Sequence, residues 1–182
     1  MDPQHAPDKG AAAPIQVRGS RLLLRALRPA EIDDQWRAMI TAGAMSVPRV
    51  PDEAAFRARL GRSGHLVDGW LDLAIDLDGA AIGRIQTFVP AERPLPPGTF
   101  DVGINLDEDK RGKGYGREAL VLLTGWLFEH AAARAVEAPT DAANVAMRTV
   151  FDRAGWSLAG SVTELGRQWV MYRVTRQEWA AR

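Results

Sequence analysis

The chain contains no cysteine among its 182 residues. That absence excludes disulfide bonds, thiolate zinc sites, iron–sulfur clusters and cysteine nucleophiles. Histidine is scarce as well, since only His5, His65 and His130 are present. No two of them have the i, i+4 spacing of a helical zinc site, so we expect no metal ion in this protein.

The sequence also lacks an excess of either charge and a long apolar run. Its 23 Lys and Arg residues balance 23 Asp and Glu residues, which argues against binding nucleic acid or an anionic membrane through bulk charge. The apolar stretches fall far short of the ~20 residues that a helix needs to cross a bilayer. Residues 1–14 have no apolar core of the secretory type. We expect a cytoplasmic protein with neither nucleic acid nor membrane as a partner.

The residues that are present predict one globular domain. Hydrophobic residues make up 46% of the chain, and its length is close to the prior of about 150 residues for a domain. Residues 1–14 are rich in alanine, proline and charge and predict a disordered tail, so the domain spans 15–182. The segment 15–28 predicts a strand or a hairpin. Further predicted strands occupy 71–77, 81–89, 100–106, 133–139, 156–164 and 167–175, and predicted helices begin near residues 29, 52, 115, 144 and 176.

The most informative segment joins the predicted strand 100–106 to the helix that begins at Tyr115. Glycines at positions 112, 114 and 116 allow successive backbone N–H groups to converge, and the new helix directs its positive end to the same point. Cations surround the turn. They are Lys110, Arg111, Lys113 and Arg117. This arrangement predicts a site for a diphosphate.

The spacing of the glycines narrows the choice of ligand. The turn lacks G-x-x-x-x-G-K-[ST], the loop that binds nucleoside triphosphates. Its glycines follow G-x-G-x-G, whereas the dinucleotide fingerprint requires G-x-G-x-x-G. A glycine-rich turn with a solvated basic cluster is the alternative that the spacing leaves open.

The turn resembles a known motif. Arg111-x-x-Gly114-x-Gly116 is similar to R/Q-x-x-G-x-G/A, the acyl-CoA-binding motif of the GNAT superfamily of N-acyltransferases. The surrounding D-V-G-I-N-L and R-G-K-G-Y-G-R-E-A-L, with Asn144 and the later A-G-W, resemble the RimJ/RimL-like branch of ribosomal-protein N-terminal acetyltransferases. The resemblance covers roughly 15–179.

The resemblance implies an α/β (α+β) fold in a single domain. Its mixed, mostly antiparallel twisted sheet would be flanked by helices, with a V-shaped splay between the central strands 100–106 and 133–139. Acetyl-CoA, or another acyl-CoA, would enter this splay as co-substrate. The acceptor would lie opposite, bordered by loops 43–51 and 90–98.

The resemblance also implies which residues contact the acyl-CoA. Ile104 and Leu106 would do so through the main chain. Asn144 would contact the pantetheine arm, although capping the helix that follows is an equally good interpretation. The full implied set is Ile104, Leu106, Arg111, Gly112, Lys113, Gly114, Tyr115, Gly116, Arg117 and Asn144.

Asp101 is the candidate catalytic residue, because an ammonium acceptor must lose a proton before it can attack. Alternation in the strand places Asp101 opposite Val102, and its position resembles the family's glutamate. A carboxylate that merely pairs with an arginine is the alternative. The proton donors of relatives are missing, since Phe151 stands where many have tyrosine and Met147 where this branch often has serine.

The implied activity is direct transfer of an acetyl group from acetyl-CoA to a primary amine in a ternary complex. The amine would be a protein N-terminus or a small molecule, and a homodimer is left open. Because Phe151 and Met147 cannot donate a proton, a non-catalytic acyl-CoA-binding or regulatory protein is the competing hypothesis.

Overall fold

A computed structural model describes residues 12–41, 52–90, 93–164 and 166–182. The helices are α1 (Pro29–Thr41), α2 (Glu53–Leu60), α3 (Tyr115–His130), α4 (Val145–Arg153) and α5 (Arg176–Ala180). The strands are β1 (Val17–Arg18), β2 (Leu22–Arg25), β3 (Leu71–Leu77), β4 (Ala80–Phe88), β5 (Thr99–Leu106), β6 (Ala135–Asp141), β7 (Ser157–Glu164) and β8 (Arg167–Thr175). The order of strands and helices agrees with the one predicted from sequence.

The strands in the described part of the chain form one sheet, ordered β1-β2-β3-β4-β5-β6-β8-β7. Every neighbouring pair is antiparallel except β5 and β6, which are parallel. The connection between β5 and β6 contains α3, as a parallel crossover requires. The predicted mixed, mostly antiparallel sheet is therefore confirmed.

The parallel pair of strands separates soon after it begins. Pairing between β5 and β6 is confined to the three residues of Thr99–Asp101 against the three of Ala135–Glu137. Beyond that point β5 remains paired with β4 as far as Leu106, but no strand of the described residues lies beside its other edge. We call this point the fork. It is the V-shaped splay predicted between the two central strands.

The core lies mainly between the sheet and the buried face of α3. Leu120, Leu123 and Leu127 of α3 have no solvent exposure, and they cluster with buried residues of the sheet such as Leu24 and Val102. Their spacing of three and four residues places them on one side of the helix. Among the described residues, no helix is long and apolar enough to span a bilayer.

Two sequence predictions fall largely outside the described residues. The predicted loop 43–51 is not described, and of the predicted tail 1–14 only residues 12–14 are. The predicted proline-rich loop 90–98 contains no regular structure in its described part, residues 90 and 93–98.

Candidate active site

The turn that follows β5 has the backbone geometry of an anion-binding loop. A short 3-10 turn, Glu108–Lys110, leads to Gly112 and Gly114, whose φ angles of 73° and 82° lie in the left-handed region. Glycine adopts these angles without the steric cost that a side chain would bring. Gly114 then caps α3, and no side chain fills that cap.

The backbone N–H groups of residues 112–117 are open. The first main-chain bond of α3 runs from the Glu118 N–H to the Gly114 carbonyl, at 3.2 Å. Within the described part of the chain, none of the six preceding N–H groups has an acceptor. Unpaired N–H groups at a helix start attract an anion, and the helix dipole adds to that attraction.

The four cations around the turn differ in how they are held. Lys110 lies 2.6 Å from the Asp109 carboxylate, and Arg111 donates from Nε to the Leu106 carbonyl at 3.0 Å. Among the described residues, Lys113 and Arg117 have no carboxylate partner, and both are exposed. These two side chains are therefore available to a phosphate group.

Gly116 has a packing role that differs from that of the other two glycines. A Cβ at this position would lie 3.4 Å from Cδ1 of Leu106 and 3.9 Å from Cδ1 of Ile104. The first turn of α3 thus sits directly on the end of β5. Ile104 and Leu106 direct their side chains to the core, while the strand edge beside them faces the splay.

A carboxylate in α3 clasps the hairpin of β1 and β2 to the anion-binding turn. Glu118 accepts hydrogen bonds from the backbone N–H groups of Arg21 and Leu22, at 2.8 and 3.1 Å, and from Nε of Arg21, at 2.8 Å. Burial raises the pKa of Glu118, but these donors together outweigh burial and hold the pKa below its usual value. We call this contact the Glu118 clasp.

Arg21 extends the clasp into the turn itself. Its Nη1 donates to the Lys113 carbonyl at 3.1 Å, and its guanidinium lies 4.8 Å from the centre of the Tyr115 ring. A carbonyl held in this way fixes the peptide that joins Lys113 to Gly114. Sequence reasoning missed Arg21 and Glu118, because they are 97 positions apart and neither belongs to the glycine pattern.

Asp101 lies at the fork and is almost fully buried, with 1% of its surface exposed. Its Oδ2 accepts a hydrogen bond from Nη2 of Arg93, which comes from the proline-rich loop. Nη1 of the same arginine donates to Glu137 at 2.7 Å, and Glu137 is the residue paired with Asp101 across β5 and β6. The pairing of Asp101 with an arginine, which the sequence left as an alternative, is therefore present.

The second oxygen of Asp101 has no partner. Oδ1 is buried, and no described residue donates to it. Burial raises the pKa of Asp101 and Glu137 adds to that rise, whereas the hydrogen bond and the charge of Arg93 lower the pKa; the net direction is upward. A buried carboxylate with one free oxygen and a raised pKa has the properties of a general base.

The same face of the sheet carries a second unpartnered oxygen. Oε1 of Gln86 in β4 is buried without a donor among the described residues. Gln86 pairs with Gly103, and Phe88 pairs with Asp101. A Cβ on Gly103 would lie 3.3 Å from Nε2 of Gln86 and 3.6 Å from Cε1 of Phe88, so both side chains lean over this glycine. Gln86 was not a sequence-predicted site residue.

Comparison with known proteins gives one family and many structural relatives. The "Acetyltransferase (GNAT) domain" family matches residues 21–157. The chain belongs to the GNAT acetyltransferase family. This membership confirms the predicted enzyme class and the predicted fold. No curated protein sequence matches the chain.

Solved structures of GNAT proteins have the same fold at low sequence identity. RimL, a ribosomal-protein α-N-acetyltransferase in complex with coenzyme A, has a TM-score of 0.70 at 17% identity, covering 88% of this chain and 98% of its own. An aminoglycoside acetyltransferase in complex with coenzyme A has a TM-score of 0.69 at 18% identity, with the same two coverages. A GNAT-family acetyltransferase from Bacillus anthracis has a TM-score of 0.67 at 16% identity, covering 90% and 99%.

Asn144 lies at the start of α4 in this GNAT fold and caps the helix. Its Oδ1 accepts a hydrogen bond from the Met147 N–H at 3.1 Å. The capping role that the sequence allowed is thus confirmed, and the side chain is exposed at the open end of the splay. Contact with the pantetheine arm stays a prediction.

The position of Phe151 explains its apolar character. Phe151 is 2% exposed, and its ring stacks on Tyr172 at 4.8 Å and packs near Trp156 at 5.3 Å. It is part of the core between α4 and the sheet, where a ring contributes packing and no proton.

The described residues offer no metal site. No group of three or more His, Asp or Glu side chains among them could hold a metal ion. Acetyl-CoA, or another acyl-CoA, is the co-substrate of this acetyltransferase family, and the RimL and aminoglycoside acetyltransferase structures described above contain coenzyme A.

Proposed function

We propose that this GNAT protein transfers an acetyl group from acetyl-CoA directly to a primary amine, in a ternary complex and in the cytoplasm. One observation supports it above the others: six open N–H groups at the start of α3 lie at the end of β5, the strand that carries the half-free carboxylate of Asp101 at the fork. One feature suits the diphosphate of coenzyme A and the other suits an acceptor amine.

The turn would hold acetyl-CoA by its diphosphate. The open N–H groups of 112–117 would bind the phosphate oxygens, and Lys113 and Arg117 would add charge. A Cβ on Gly112 would have no atom of the described residues within 4 Å apart from its chain neighbours, so a ligand can approach this backbone closely. These are the properties that a diphosphate requires, and they are unlike those of a plain surface turn.

The unpaired edge of β5 would hold the pantetheine arm. Between Val102 and Leu106 this edge has no neighbouring strand in the described part of the chain, and Ile104 lies in its middle. The Leu106 carbonyl accepts one hydrogen bond from Arg111 and keeps a second lone pair for a ligand. We therefore assign the main-chain contacts of the arm to Ile104 and Leu106, and place Asn144 on the facing wall.

Asp101 would act as the general base. Acetyl-CoA supplies an activated acyl group, and Asp101 removes the proton that an ammonium acceptor must lose before it attacks. Oδ1 is the oxygen left for this task, because Arg93 occupies Oδ2. The departing thiol has an ordinary pKa near ~8.5, so it can leave as thiolate and take its proton from water. A donor at position 147 or 151 is then not required.

The acceptor is proposed to be the amino group of a protein N-terminus, as for the RimJ/RimL-like branch, or of a small molecule. RimL is a ribosomal-protein α-N-acetyltransferase, and the other coenzyme A complex is an aminoglycoside acetyltransferase. Family membership favours an enzyme over a non-catalytic acyl-CoA-binding protein.

A turnover assay with detection of free thiol tests the proposal. Acetyl-, propionyl- and succinyl-CoA are each offered with an N-terminal peptide, an aminoglycoside and a polyamine, and we expect acetyl-CoA with one amine to release thiol above background. Asp101→Ala should lower kcat by about 100-fold or more, the usual contribution of a general base. The affinity for coenzyme A, measured by calorimetry, should stay within about twofold.

Asp101→Asn is the matched control, because it keeps the shape of the side chain and loses the base. The kcat of Asp101→Asn should be as low as that of Asp101→Ala. Full turnover by either variant would remove Asp101 from the mechanism. Tight binding of coenzyme A without thiol release from any amine would favour the binding protein.

A further inference from the structure

We propose that Arg93 is the positioning residue of the reacting centre: it holds Asp101 and Glu137 together at the fork and leaves Oδ1 of Asp101 as the oxygen that meets the acceptor. This inference rests on the proposed function, because it concerns the base that we assign to the acceptor. Arg93 belongs to neither the glycine turn nor any motif in the sequence.

The geometry of the contact is a bridge between two strands. Nη2 of Arg93 donates to Oδ2 of Asp101, and Nη1 donates to Oε2 of Glu137 at 2.7 Å. Asp101 and Glu137 are directly paired at the last residue before the strands part. Side chains of paired residues lie on one face of a sheet, where two like charges destabilise the pair. A planar guanidinium with parallel donors is suited to neutralise both.

The two carboxylates of the bridge are buried, whereas the arginine that joins them is partly exposed. The side chains of Asp101 and Glu137 are 1% and 8% exposed, whereas that of Arg93 is 39% exposed. The guanidinium therefore lies between the two carboxylates and the solvent, and it donates to Oδ2 of Asp101. The remaining oxygen, Oδ1, has no donor among the described residues, and Asp101 shares its face of the sheet with Gln86, whose Oε1 also lacks a donor. Two acceptors without donors suit the two or three N–H groups of an amine.

Among the described elements, charged groups reach Asp101 and its partner Glu137 from the proline-rich loop, β6 and β8. Arg93 comes from the proline-rich loop and Glu137 from β6, and Arg173 of β8 lies 3.5 Å from Glu137. The side chains from β4, Gln86 and Phe88, carry no charge. Without Arg93, two buried carboxylates at paired positions would compete for one proton, and Asp101 would ionise only at higher pH.

The loop that carries Arg93 is built to keep it in place. Pro94 follows directly, and a residue before proline is restricted to extended conformations. The end of the loop is tied down by the Thr99 N–H, which donates to the Pro96 carbonyl at 2.9 Å, and by the Arg134 N–H, which donates to the Gly98 carbonyl at 2.7 Å. Arg93 therefore reaches the fork from a stiff rim.

The test replaces Arg93 and follows Asp101 directly. Proteins labelled with ¹³C at the aspartate carboxyl are titrated by NMR, and the pH dependence of kcat is measured in parallel. In Arg93→Gln we expect the titration of Asp101 and the acidic limb of kcat to move upward by about one pH unit, a tenfold change in the ratio of ionised to protonated base. Lost kcat should return at pH 9, with KM for acetyl-CoA within about twofold of wild type.

Three further variants separate positioning from a merely structural role. Arg93→Lys keeps the positive charge but cannot donate to both carboxylates in parallel. The titration of Asp101 in this variant should therefore lie between those of wild type and Arg93→Gln. Arg93→Gln combined with Glu137→Gln removes the competing carboxylate and should move the titration of Asp101 back down. Arg173→Gln removes the ion pair with Glu137 and leaves the Arg93 bridge in place, so it should shift the titration of Asp101 less than Arg93→Gln does.

An unchanged titration of Asp101 in Arg93→Gln, with the fold intact by circular dichroism, would overturn the proposal. Faster turnover in Arg93→Gln would also overturn it, because it would mean that Arg93 occupies the place of the acceptor. The NMR titration needs no acceptor amine. Failure of the wild type to turn over would therefore count against the proposed function alone, while the role of Arg93 would still be decided.

Discussion

The helices α3 and α5 begin in opposite ways. At α5 a capping box closes the first turn: Oγ1 of Thr175 accepts from the Glu178 N–H at 3.2 Å, and the Glu178 carboxylate accepts from the Thr175 N–H at 2.7 Å. At α3 the cap is Gly114, no side chain serves the first turn, and six N–H groups stay open. The first turn of α5 is therefore capped by its own side chains, whereas the N–H groups at the start of α3 are available to a ligand.

The difference shows how a helix can leave its first turn open. A capping side chain stabilises a helix by about 1 kcal/mol, and α3 forgoes this. Two other features hold α3 in place: its buried face, with Leu120, Leu123 and Leu127, and the Glu118 clasp to the β1–β2 hairpin. In α5 only Trp179 is partly buried, with its ring 5.8 Å from that of Phe128, so this short helix depends more on its own cap.

The largest effect on the difference between the two helix starts is expected from a carboxylate at the open start of α3. Gly114→Asp adds bulk and negative charge where the diphosphate would bind, and its Cβ would meet Nη2 of Arg21 at 3.4 Å. We expect the affinity for coenzyme A to fall by at least about 100-fold, which is about 2.7 kcal/mol. Calorimetry measures this directly.

Gly166→Asp is the matched control, because Gly166 has a similar φ of 73°, open space around it and a position in the β7–β8 turn. It should bear the same backbone strain and leave coenzyme A binding unchanged. Micromolar binding retained by Gly114→Asp would contradict the assignment of the turn.

Removing the Glu118 clasp tests whether this contact stabilises α3 in place of a capping side chain. Glu118→Gln weakens charge-assisted hydrogen bonds from Arg21 and Leu22, so we expect the free energy of unfolding to fall by about 2 kcal/mol. The affinity for coenzyme A should fall by about tenfold, because Arg21 no longer holds the Lys113 carbonyl as firmly. Chemical denaturation and calorimetry measure the two effects.

The pH dependence of the Glu118 clasp has a definite sign. The pKa of Glu118 is lowered in the folded protein, so the clasp stabilises fully above the unfolded pKa of about 4.3 and is lost as the pH falls through the folded value. The stability difference between wild type and Glu118→Gln should therefore narrow below about pH 4. Glu129→Gln, at an exposed position of the same helix, should show no comparable difference.

The smallest effect is expected at the closed helix start. Thr175→Ala removes one side of the capping box and should lower the free energy of unfolding by about 1 kcal/mol. Coenzyme A binding should not change, because α5 is remote from the glycine turn. Thr175→Ser keeps a hydroxyl and should lose less stability than Thr175→Ala. Weaker coenzyme A binding in Thr175→Ala would mean that the two helix starts are not independent.

The sequence predicted the parts of the site that depend on neighbouring residues. Gly112 and Gly114 adopt the left-handed angles that glycine allows, and α3 begins at the predicted residue, Tyr115. The alternation in the sequence also predicted the strand that carries Asp101. It placed Asp101 on the face opposite Val102, which belongs to the core. Each of these follows from preferences that act over one or two turns of chain.

The sequence did not reveal the partners that surround these residues. Arg93 and Glu137 are 44 positions apart, and Arg21 and Glu118 are 97 apart. The resemblance predicted that loop 90–98 borders the acceptor, yet nothing in its composition identified Arg93 as the residue that reaches the fork. Gln86 was missed because its significance depends on the absence of a side chain at Gly103, on another strand.

By itself the sequence determined the strand, the glycine turn and the helix that follows, because backbone preference and hydrophobic periodicity are local properties. Only the tertiary structure decided that Asp101 has Glu137 as its neighbour, that Arg93 covers one of its oxygens and that Glu118 secures the turn. The physical reason is that these contacts depend on strand register and on the closure of long loops, which the chain settles only when the whole sheet has formed.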